Sequence, residues 1–287
     1  MIGFFNVYKP TGMSSAAVVG KLKRKLGVKK IGHMGTLDPL ACGILPIAVG
    51  KATRMFDYFL NKDKTYIVEA EFGYLTPSLD LGTEISETTT VIPKLDDIRG
   101  GCLSFIGKIE QYPPIYSAKS VNGVRAYDLA RKGESVDLRP AEVNILRFEC
   151  LRQISNTKFE FLINCSSGTY VRSLIYDLSK KLNSLATVTK LERVNSGYFD
   201  KEDSIGLDEL LDCENTNLHL IDITNVFRNY DIINISDDDF YKIRNGIAIN
   251  TNLENKDNVF VKYNSELIGV GIINNNQLSL KTFLLQD

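Results

Sequence analysis

Tryptophan is absent from the 287-residue chain, and histidine occurs only twice, at His33 and His219. The two histidines lie in unrelated contexts, so the sequence offers no HExxH motif, no histidine ligand set and no Ser-His-Asp arrangement. Phosphate-binding loops of the types GxxxxGK[S/T] and GxGxxG are also missing, as is a GxSxG elbow. We therefore expect neither a metal nor a cofactor, which leaves chemistry to carboxylate, tyrosine and arginine side chains.

Cysteine is scarce as well: the chain has five, an odd and widely spaced set without a CxxC pair. This spacing argues against a disulfide framework and against a cysteine zinc site, and it favours a reducing compartment. No run approaches the roughly 18 apolar residues that a membrane span needs. The N-terminus, MIGFFNVYKP, lacks the basic and apolar regions of a signal peptide. We expect a cytoplasmic protein.

Acidic and basic residues nearly cancel, 35 against 34, for a formal net charge of −1. Residues 1–66, however, contain eleven Lys and Arg against three Asp, a net of +8, which leaves −9 for the remainder. A basic N-terminal segment in a near-neutral chain indicates a polyanion-binding face, although a solvated charge cluster has the same composition. Asp38 is the only carboxylate in the first 56 residues, among nine Lys and Arg.

Hydrophobic spacing predicts an α+β fold. The patterned segments are two strands, over 66–72 and 159–165, and two helices. One helix runs through Val18, Val19, Leu22 and Leu26 between a Ser14 or Ser15 cap and Gly27, and the other has its apolar stripe from Val171 to Leu182. The stretch 31–50 is rich in glycine and proline, and we interpret it as irregular.

Two further regions differ from the rest of the chain in composition and in hydrophobic pattern. Residues 112–135 mix two prolines and two glycines with aromatic and basic residues, which predicts a long functional excursion with one short helix near 124–132. Short β-like runs at 231–235, 259–263, 267–273 and 278–284 predict a small β-barrel. We therefore divide the chain into a catalytic domain over 1–226 and a small domain over 227–287.

Four residues are candidates for a site on their own chemistry. Asp38 precedes a proline, which places it on extended or turn backbone, so it is either a projecting nucleophile or base or an ordinary turn opener. Arg172 opens a helix and could hold Asp38 as a bidentate pair, or it could be a surface arginine. Tyr66 is either a core tyrosine or a stacking platform with a usable phenol. His33 is either a loop histidine or a wedge between bases.

The chain closely resembles the TruB family of tRNA pseudouridine synthases in five segments that keep the family's order and spacing: NVYKPTGMSS (6–15), GHMGTLDPLACGILPIAVGKATR (32–54), KTY (64–66), YSAKSVNGVRAYDLARKG (116–133) and CSSGTYVRSL (165–174). The resemblance continues through LERVNSG (191–197). The tail, with RNG (244–246), LIGVGII (267–273) and LSLKTF (278–283), is similar to the PUA domain that these bacterial enzymes carry. The resemblance implies a pseudouridine synthase catalytic domain with a mixed or antiparallel sheet, a thumb insertion over about 112–135 and a C-terminal PUA-like RNA-binding domain.

The resemblance also implies a reaction. The family isomerises uridine 55 in the T-arm loop of tRNA to pseudouridine, with no cofactor or metal and after flipping the base out of the loop. The implied catalytic residues are Asp38, Tyr66 and Arg172: the essential carboxylate, the tyrosine that stacks on the base and is placed to remove the C5 proton, and the partner of the carboxylate. The implied substrate-binding residues are His33, Tyr170, Leu191, Lys9 and Arg193, of which His33 fills the gap left by the flipped base.

Three departures from the family pattern stand out. The usual TDTxD reads Thr76-Pro77-Ser78-Leu79-Asp80, so only the second aspartate is kept. The lysine of the usual SAxK motif comes one position early, at Lys119. The PUA-like tail is acidic and rich in asparagine, which predicts a small contribution to tRNA affinity.

Several alternatives stay open on the sequence. Asp38 could add to C1′, add to C6 or remove the C2′ proton. The protein could be a tRNA-folding chaperone that uses the same basic face without catalysis, or a relative of the RNA-guided synthases of nucleoprotein particles. The YSA segment of the thumb and the short tail favour the stand-alone type, which needs neither guide RNA nor partner protein. A protein that clamps RNA by itself has no need of a dimer, so we expect a monomer.

Overall fold

The computed structural model describes residues 1–60, 62–116, 120–121, 124–125 and 139–285. In chain order its strands are β1 (Gly3–Lys9), β2 (Ile31–His33), β3 (Cys42–Val49), β4 (Lys64–Phe72), β5 (Tyr74–Leu75), β6 (Glu87–Thr88), β7 (Gly107–Gln111), β8 (Ser120–Val121), β9 (Val124–Arg125), β10 (Ala141–Gln153), β11 (Lys158–Cys165), β12 (Ala186–Ser196), β13 (Phe199–Asp200), β14 (Ile205–Gly206), β15 (Asp231–Asn234), β16 (Ile249–Asn250), β17 (Lys256–Tyr263), β18 (Glu266–Asn274) and β19 (Gln277–Phe283). Its α-helices are α1 (Ser15–Leu26), α2 (Asp57–Leu60), α3 (Leu95–Leu103), α4 (Val171–Lys181), α5 (Leu207–Asp212), α6 (Ile223–Val226) and α7 (Asp237–Arg244).

One large mixed sheet forms the frame of the N-terminal part. Its strand order is β14-β1-β3-β12-β4-β11-β10-β7, with β2 added to β3 and β13 added to β12. The β1–β14 and β3–β12 pairs are parallel and the other pairs are antiparallel. Helices α1, α3, α4 and α5 bury their apolar stripes in one cluster with the apolar side chains of the sheet. The expected α+β class with a mixed sheet is confirmed.

Helix α1 has the cap, the terminal glycine and the apolar stripe from which the sequence predicts a helix. The Ser14 hydroxyl accepts a hydrogen bond from the Ala17 amide, and Gly27 ends the helix at φ 61°, in the left-handed region that glycine adopts most easily. Val18 and Leu22, one turn apart, are fully buried. Cap, stop and stripe all agree with the predicted helix.

The interpretation of 31–50 as irregular is wrong, because this stretch supplies β2 and β3. Pro46 lies inside β3, where its carbonyl accepts from the Met34 amide just past the end of β2. Its nitrogen faces the same side, beyond the last residue of β2, so the missing N–H costs no ladder bond. Gly43 has φ 106°, and a Cβ there would lie 2.2 Å from the Arg193 carbonyl oxygen. Pro46 is therefore compatible with the pairing of β2 and β3, and Gly43 allows β12 to approach β3 closely.

Strands β4 and β11 agree with the predicted runs and start one or two residues earlier than expected. The predicted helix near 124–132 does not begin as expected, because Val124–Arg125 pairs with Ser120–Val121 as a short hairpin. Residues 126–132 lie outside the described part of the chain, as does most of the predicted thumb and the displaced Lys119. Helix α4 starts at Val171, as the apolar stripe predicts.

The C-terminal part is a five-stranded sheet of order β15-β17-β18-β19-β16 with helix α7 against it. Tight turns at Asn264-Ser265 and Asn275-Asn276 have positive φ at both residues, as two-residue hairpin turns of type I′ require. Phe260 and Val270 of this sheet lie in one apolar cluster with Phe4 of β1. The small β unit is confirmed, and the exact boundary at 226/227 stays a prediction. No helix in the described ranges has the length and apolarity for crossing a membrane.

Candidate active site

A cavity of about 500 Å³ opens where strands β4 and β12, the loop before β3 and the start of α4 converge. Six of the eight predicted site residues are among its lining: Asp38, Tyr66, Tyr170, Arg172, Leu191 and Arg193. These residues come from four separate stretches of sequence. The two others, His33 and Lys9, are not among the described lining residues.

Asp38 lies on a turn, in which the Ala41 amide donates to its carbonyl at 3.1 Å. The buried Ser15 hydroxyl donates to the Leu37 carbonyl and accepts from the Leu37 amide, each at 2.9 Å. These bonds fix the backbone beside Asp38 to the start of α1. The Asp38 side chain keeps 34% of its surface exposed, so the carboxylate is both positioned and accessible from the cavity.

Arg172 is buried, with 5% of its side chain exposed, so the surface reading is wrong. Its Nη2 contacts Asp38 Oδ2 at 2.7 Å and donates to the Tyr116 carbonyl at 3.0 Å. Its Nη1 donates to the Ser78 carbonyl at 2.7 Å and lies 3.3 Å from Asp80 Oδ2. The guanidinium therefore pairs with Asp38 through one amino group and with Asp80 through the other, whereas one sequence-based interpretation was a bidentate pair with Asp38 alone.

Asp80 is the aspartate kept in the departing motif, and the sequence did not assign it to the site. Its Oδ1 accepts from the Ser78 hydroxyl at 2.6 Å and from the Gly82 amide at 2.9 Å. The Thr76 hydroxyl donates to the Asp80 carbonyl at 2.6 Å. The loop with Pro77 in place of the first aspartate thus still holds Asp80 against Arg172.

Tyr66 lies opposite Arg193 in the β4–β12 ladder and is almost fully buried. Burial raises the pKa of Tyr66 to about 12, against the opposing effect of the nearby Arg193 guanidinium. The phenol is therefore protonated at neutral pH. Leu191, two residues before Arg193, faces the same cavity and gives it an apolar wall.

Arg193 is 1% exposed and binds mainly backbone. Its guanidinium donates to the Ile44 carbonyl at 2.7 Å, the Thr36 carbonyl at 3.1 Å and the Gly35 carbonyl at 3.2 Å. These contacts connect β12 to strand β3, through Ile44, and to the segment that leads into Asp38, through Gly35 and Thr36. Arg193 lines the cavity, and two of these three hydrogen bonds hold the loop before Asp38. Its contact with substrate stays a prediction.

Tyr170 precedes helix α4, and Gln111 at the end of β7 fixes its backbone. The side-chain Nε2 of Gln111 donates to the Tyr170 carbonyl at 3.0 Å, and the side-chain Oε1 of Gln111 accepts from the backbone N–H of Tyr170 at 2.7 Å. Gln111, Lys64 and Ser167 line the cavity without having been predicted. Lys64 shares a strand face with Tyr66, a period-two signal that was available in the sequence. Gln111 carried no such signal.

Lys9 and His33 lie beside the cavity. Lys9 is fully buried, and its ammonium donates to the carbonyls of Met13 at 2.7 Å, Pro10 at 2.8 Å and Pro39 at 3.3 Å. It thus supports the Asp38 turn from behind, and burial lowers its pKa to about 8. His33 lies on β2 and not in a loop, and burial followed by the Arg193 charge lowers its pKa, which favours a neutral imidazole.

A family model described as the N-terminal domain of TruB family pseudouridylate synthases matches residues 23–171. The chain belongs to the TruB family of pseudouridine synthases. Such enzymes are isomerases, and the TruB resemblance seen in the motifs is thereby confirmed.

Curated relatives extend the similarity along the chain. The chain is 40% identical over 251 residues to a protein named tRNA pseudouridine synthase B from Clostridium perfringens strain 13, covering 87% of this chain and 85% of the relative. The protein of that name from Clostridium novyi strain NT is 39% identical, with 99% and 100% covered. That from Rickettsia bellii strain OSU 85-389 is 38% identical, with 98% of each chain covered.

Solved structures support the fold over nearly the whole chain. A structure of an H/ACA ribonucleoprotein bound to a substrate RNA containing 2′-deoxyuridine aligns with a TM-score of 0.73 at 22% identity, covering 99% of this chain and 85% of the other. A Cbf5-Nop10-Gar1 complex aligns with a TM-score of 0.72 at 23% identity, with the same coverage. The TruB fold therefore includes the C-terminal PUA-like part.

Proposed function

We propose that the protein isomerises uridine 55 in the T-arm loop of tRNA to pseudouridine, acting alone. The observation that carries this proposal is the cavity in which an accessible carboxylate, Asp38, is held by buried Arg172 beside the aromatic ring of Tyr66. The curated relatives, which are 38–41% identical to this chain over the aligned residues, are named for tRNA. Their names support the substrate, and the geometry supports the chemistry.

The substrate base has to leave the loop to reach Asp38. Flipping a base costs about a few kcal/mol, and stacking on an aromatic side chain returns on the order of 1–3 kcal/mol. Tyr66 and Leu191 provide an aromatic and an apolar wall for a flat ring. A detached uracil held between such walls can turn without escaping, which the reaction needs.

The isomerisation breaks the N1–C1′ bond, turns the base and joins C5 to C1′. Asp38 could add to C1′, add to C6 or remove the C2′ proton. Each of these steps needs a carboxylate held in place at the cavity, and the contact with Arg172 holds the Asp38 carboxylate. The raised pKa of Tyr66 favours stacking over action as a phenolate. We therefore propose that the main role of Tyr66 is to stack on the flipped base. Because its phenol is protonated, Tyr66 can accept the C5 proton only if it gives up its own hydroxyl proton at the same time.

The basic N-terminal segment supplies the RNA face in this proposal. Of the eleven Lys and Arg within residues 1–66, Lys9, Lys51 and Lys64 are buried, and the other eight are partly or fully exposed. Phosphate contacts from such exposed cations supply affinity without reading sequence. Activity as a monomer without guide RNA or partner protein, in the cytoplasm, fits the relatives named tRNA pseudouridine synthase B. The H/ACA and Cbf5 complexes, at 22–23% identity, support the fold alone.

The decisive experiment compares D38N with the wild type. Single-turnover release of tritium from tRNA containing 5-³H-uridine, followed by mapping of the modified position, reports reaction and site together. We expect D38N to form no pseudouridine while it still binds tRNA, and D57N, an exposed aspartate outside the cavity, to match the wild type. Product formed by D38N contradicts the assignment of the carboxylate, and product at another uridine contradicts the position.

The alternative, a tRNA-folding chaperone, uses the same basic face. It predicts that the wild type releases no tritium and nevertheless accelerates the refolding of misfolded tRNA. The same two assays on wild type and D38N therefore separate the chaperone from the enzyme.

A further inference from the structure

Lys64 is a buried cation that the catalytic roles above leave unused. It opens strand β4, is 7% exposed and lines the cavity. Tyr66 follows two residues later on the same face of the strand, about 7 Å away along the backbone. A base stacked on Tyr66 therefore lies within reach of the Lys64 side chain.

The donors of the two arginines in the cavity are largely engaged. Arg172 contacts two carboxylates and two carbonyls, and Arg193 donates to three backbone carbonyls. The Lys64 ammonium has three N–H groups, of which one donates to the Lys62 carbonyl at 3.0 Å and one to the Ser167 hydroxyl at 3.1 Å. Its third N–H has no partner among the described residues.

The reaction creates a matching acceptor. When the N1–C1′ bond breaks, the electron pair stays on N1 and spreads over O2 and O4 of the uracil ring. The electron-poor C1′ is compensated by its ring oxygen or by the Asp38 carboxylate until C5 bonds to it. C5 later supplies the pair that forms the C5–C1′ bond, the C5 proton leaves to an acceptor and N1 regains a proton, so no oxidant or reductant is needed. A fixed cation in a water-poor site stabilises such developing charge strongly.

We propose that Lys64, as an ammonium, donates its third hydrogen bond to a carbonyl oxygen of the uracil ring and stabilises the negative charge on the detached base. Lys64 keeps its proton throughout and is a catalytic residue in this role. A contact to a backbone phosphate of the RNA is the competing assignment. The near-complete burial of Lys64 beside the base platform favours the ring.

The protonation of Lys64 gives the proposal a pH signature. Burial and the Arg193 guanidinium lower the pKa of Lys64 to about 8, while Cys165 and Asp63 oppose the shift. The ammonium is thus lost as the pH rises through about 8. The rate of the chemical step should fall over the same range, and a permanently charged arginine at this position should remove that fall.

The test uses the full chain under single-turnover conditions, with tritium release from 5-³H-uridine tRNA measured from pH 6 to 9.5 and tRNA affinity measured separately. We expect K64Q to slow the step about 100-fold with affinity within about threefold of the wild type. K64R should keep most of the rate and lose the decline above pH 8. K190Q, which removes an exposed lysine paired with Glu69 outside the cavity, is the matched control and should change neither quantity.

Each other outcome overturns the proposal. A K64Q enzyme with normal rate and weakened affinity assigns Lys64 to a phosphate, and a normal K64Q enzyme removes it from the mechanism. A folded K64R enzyme as slow as K64Q contradicts the role of charge. If K64Q does not fold, by thermal melting, the K64R and wild-type pH profiles decide, and parallel profiles overturn the proposal. The inference rests on the proposed tRNA substrate, and a wild type inactive on tRNA refutes that substrate, whereas active wild type with unaffected K64Q refutes Lys64 alone.

Discussion

Replacing Arg172 by lysine tests whether one buried guanidinium connects the fold to the site. Arg172 places Nη2 on Asp38 and Nη1 on Asp80 and the Ser78 carbonyl. A lysine keeps the charge but presents it at a single point, so it cannot bridge two carboxylates on opposite sides of the guanidinium. R172K should therefore lose about two of the four contacts and leave one carboxylate poorly paired.

The magnitude follows from burial. A hydrogen bond to a charged group contributes about 1.5–3 kcal/mol, and the lower end applies here because Asp38 is 34% exposed and water replaces part of the loss. Two lost contacts then destabilise the fold by about 3 kcal/mol. For a protein of this size that lowers the thermal midpoint by about 6–12 °C. Release of Asp38 should also slow the reaction about 100-fold, since a displacement of a catalytic group by about 1 Å can lower the rate by that factor.

Differential scanning calorimetry and single-turnover tritium release measure the two effects. The matched control is R147K, which makes the same substitution in an exposed pair with Glu149 and should shift the midpoint by no more than about 3 °C. An R172K enzyme that melts within 2 °C of the wild type, or that keeps its full rate, would refute the view that the bridge holds Asp38.

Two further predictions concern stability. G43A should destabilise by about 2–5 kcal/mol, because its Cβ meets the Arg193 carbonyl at 2.2 Å, whereas G12A, also at positive φ but with open space, should cost only about 1 kcal/mol in urea unfolding. Tyr66, with its pKa raised from 10.0 to about 12, contributes stability that is fully present below pH 10 and lost as the pH rises to 12. The unfolding free energy of the wild type should thus fall about 3 kcal/mol more than that of Y66F between pH 9.5 and 12.5, and parallel curves would contradict the assignment.

The sequence by itself determined the local elements whose signals lie close together. Helix α1 has its capping serine, its terminal glycine and its apolar stripe within 14 residues. Buried and partly exposed side chains alternate along β4 and β11, so the sequence predicts which face of each strand lies in the core. The isolation of Asp38 among nine basic residues was likewise a matter of counting. The motifs of the TruB family added the proposed roles of Asp38, Tyr66 and Arg172, which composition could not assign.

Only the tertiary structure decided which residues meet, because the contacts that matter join distant segments. Strand β3 was hidden by Pro46 and Gly43, whose effects depend on where β2 ends and how closely β12 approaches. Asp80 became a partner of Arg172 through a contact across 92 positions, and Lys9, predicted to bind substrate, turned inward to three carbonyls. Short-range patterns fix backbone shape and apolar faces, whereas burial and charge pairing depend on neighbours that only the folded chain supplies.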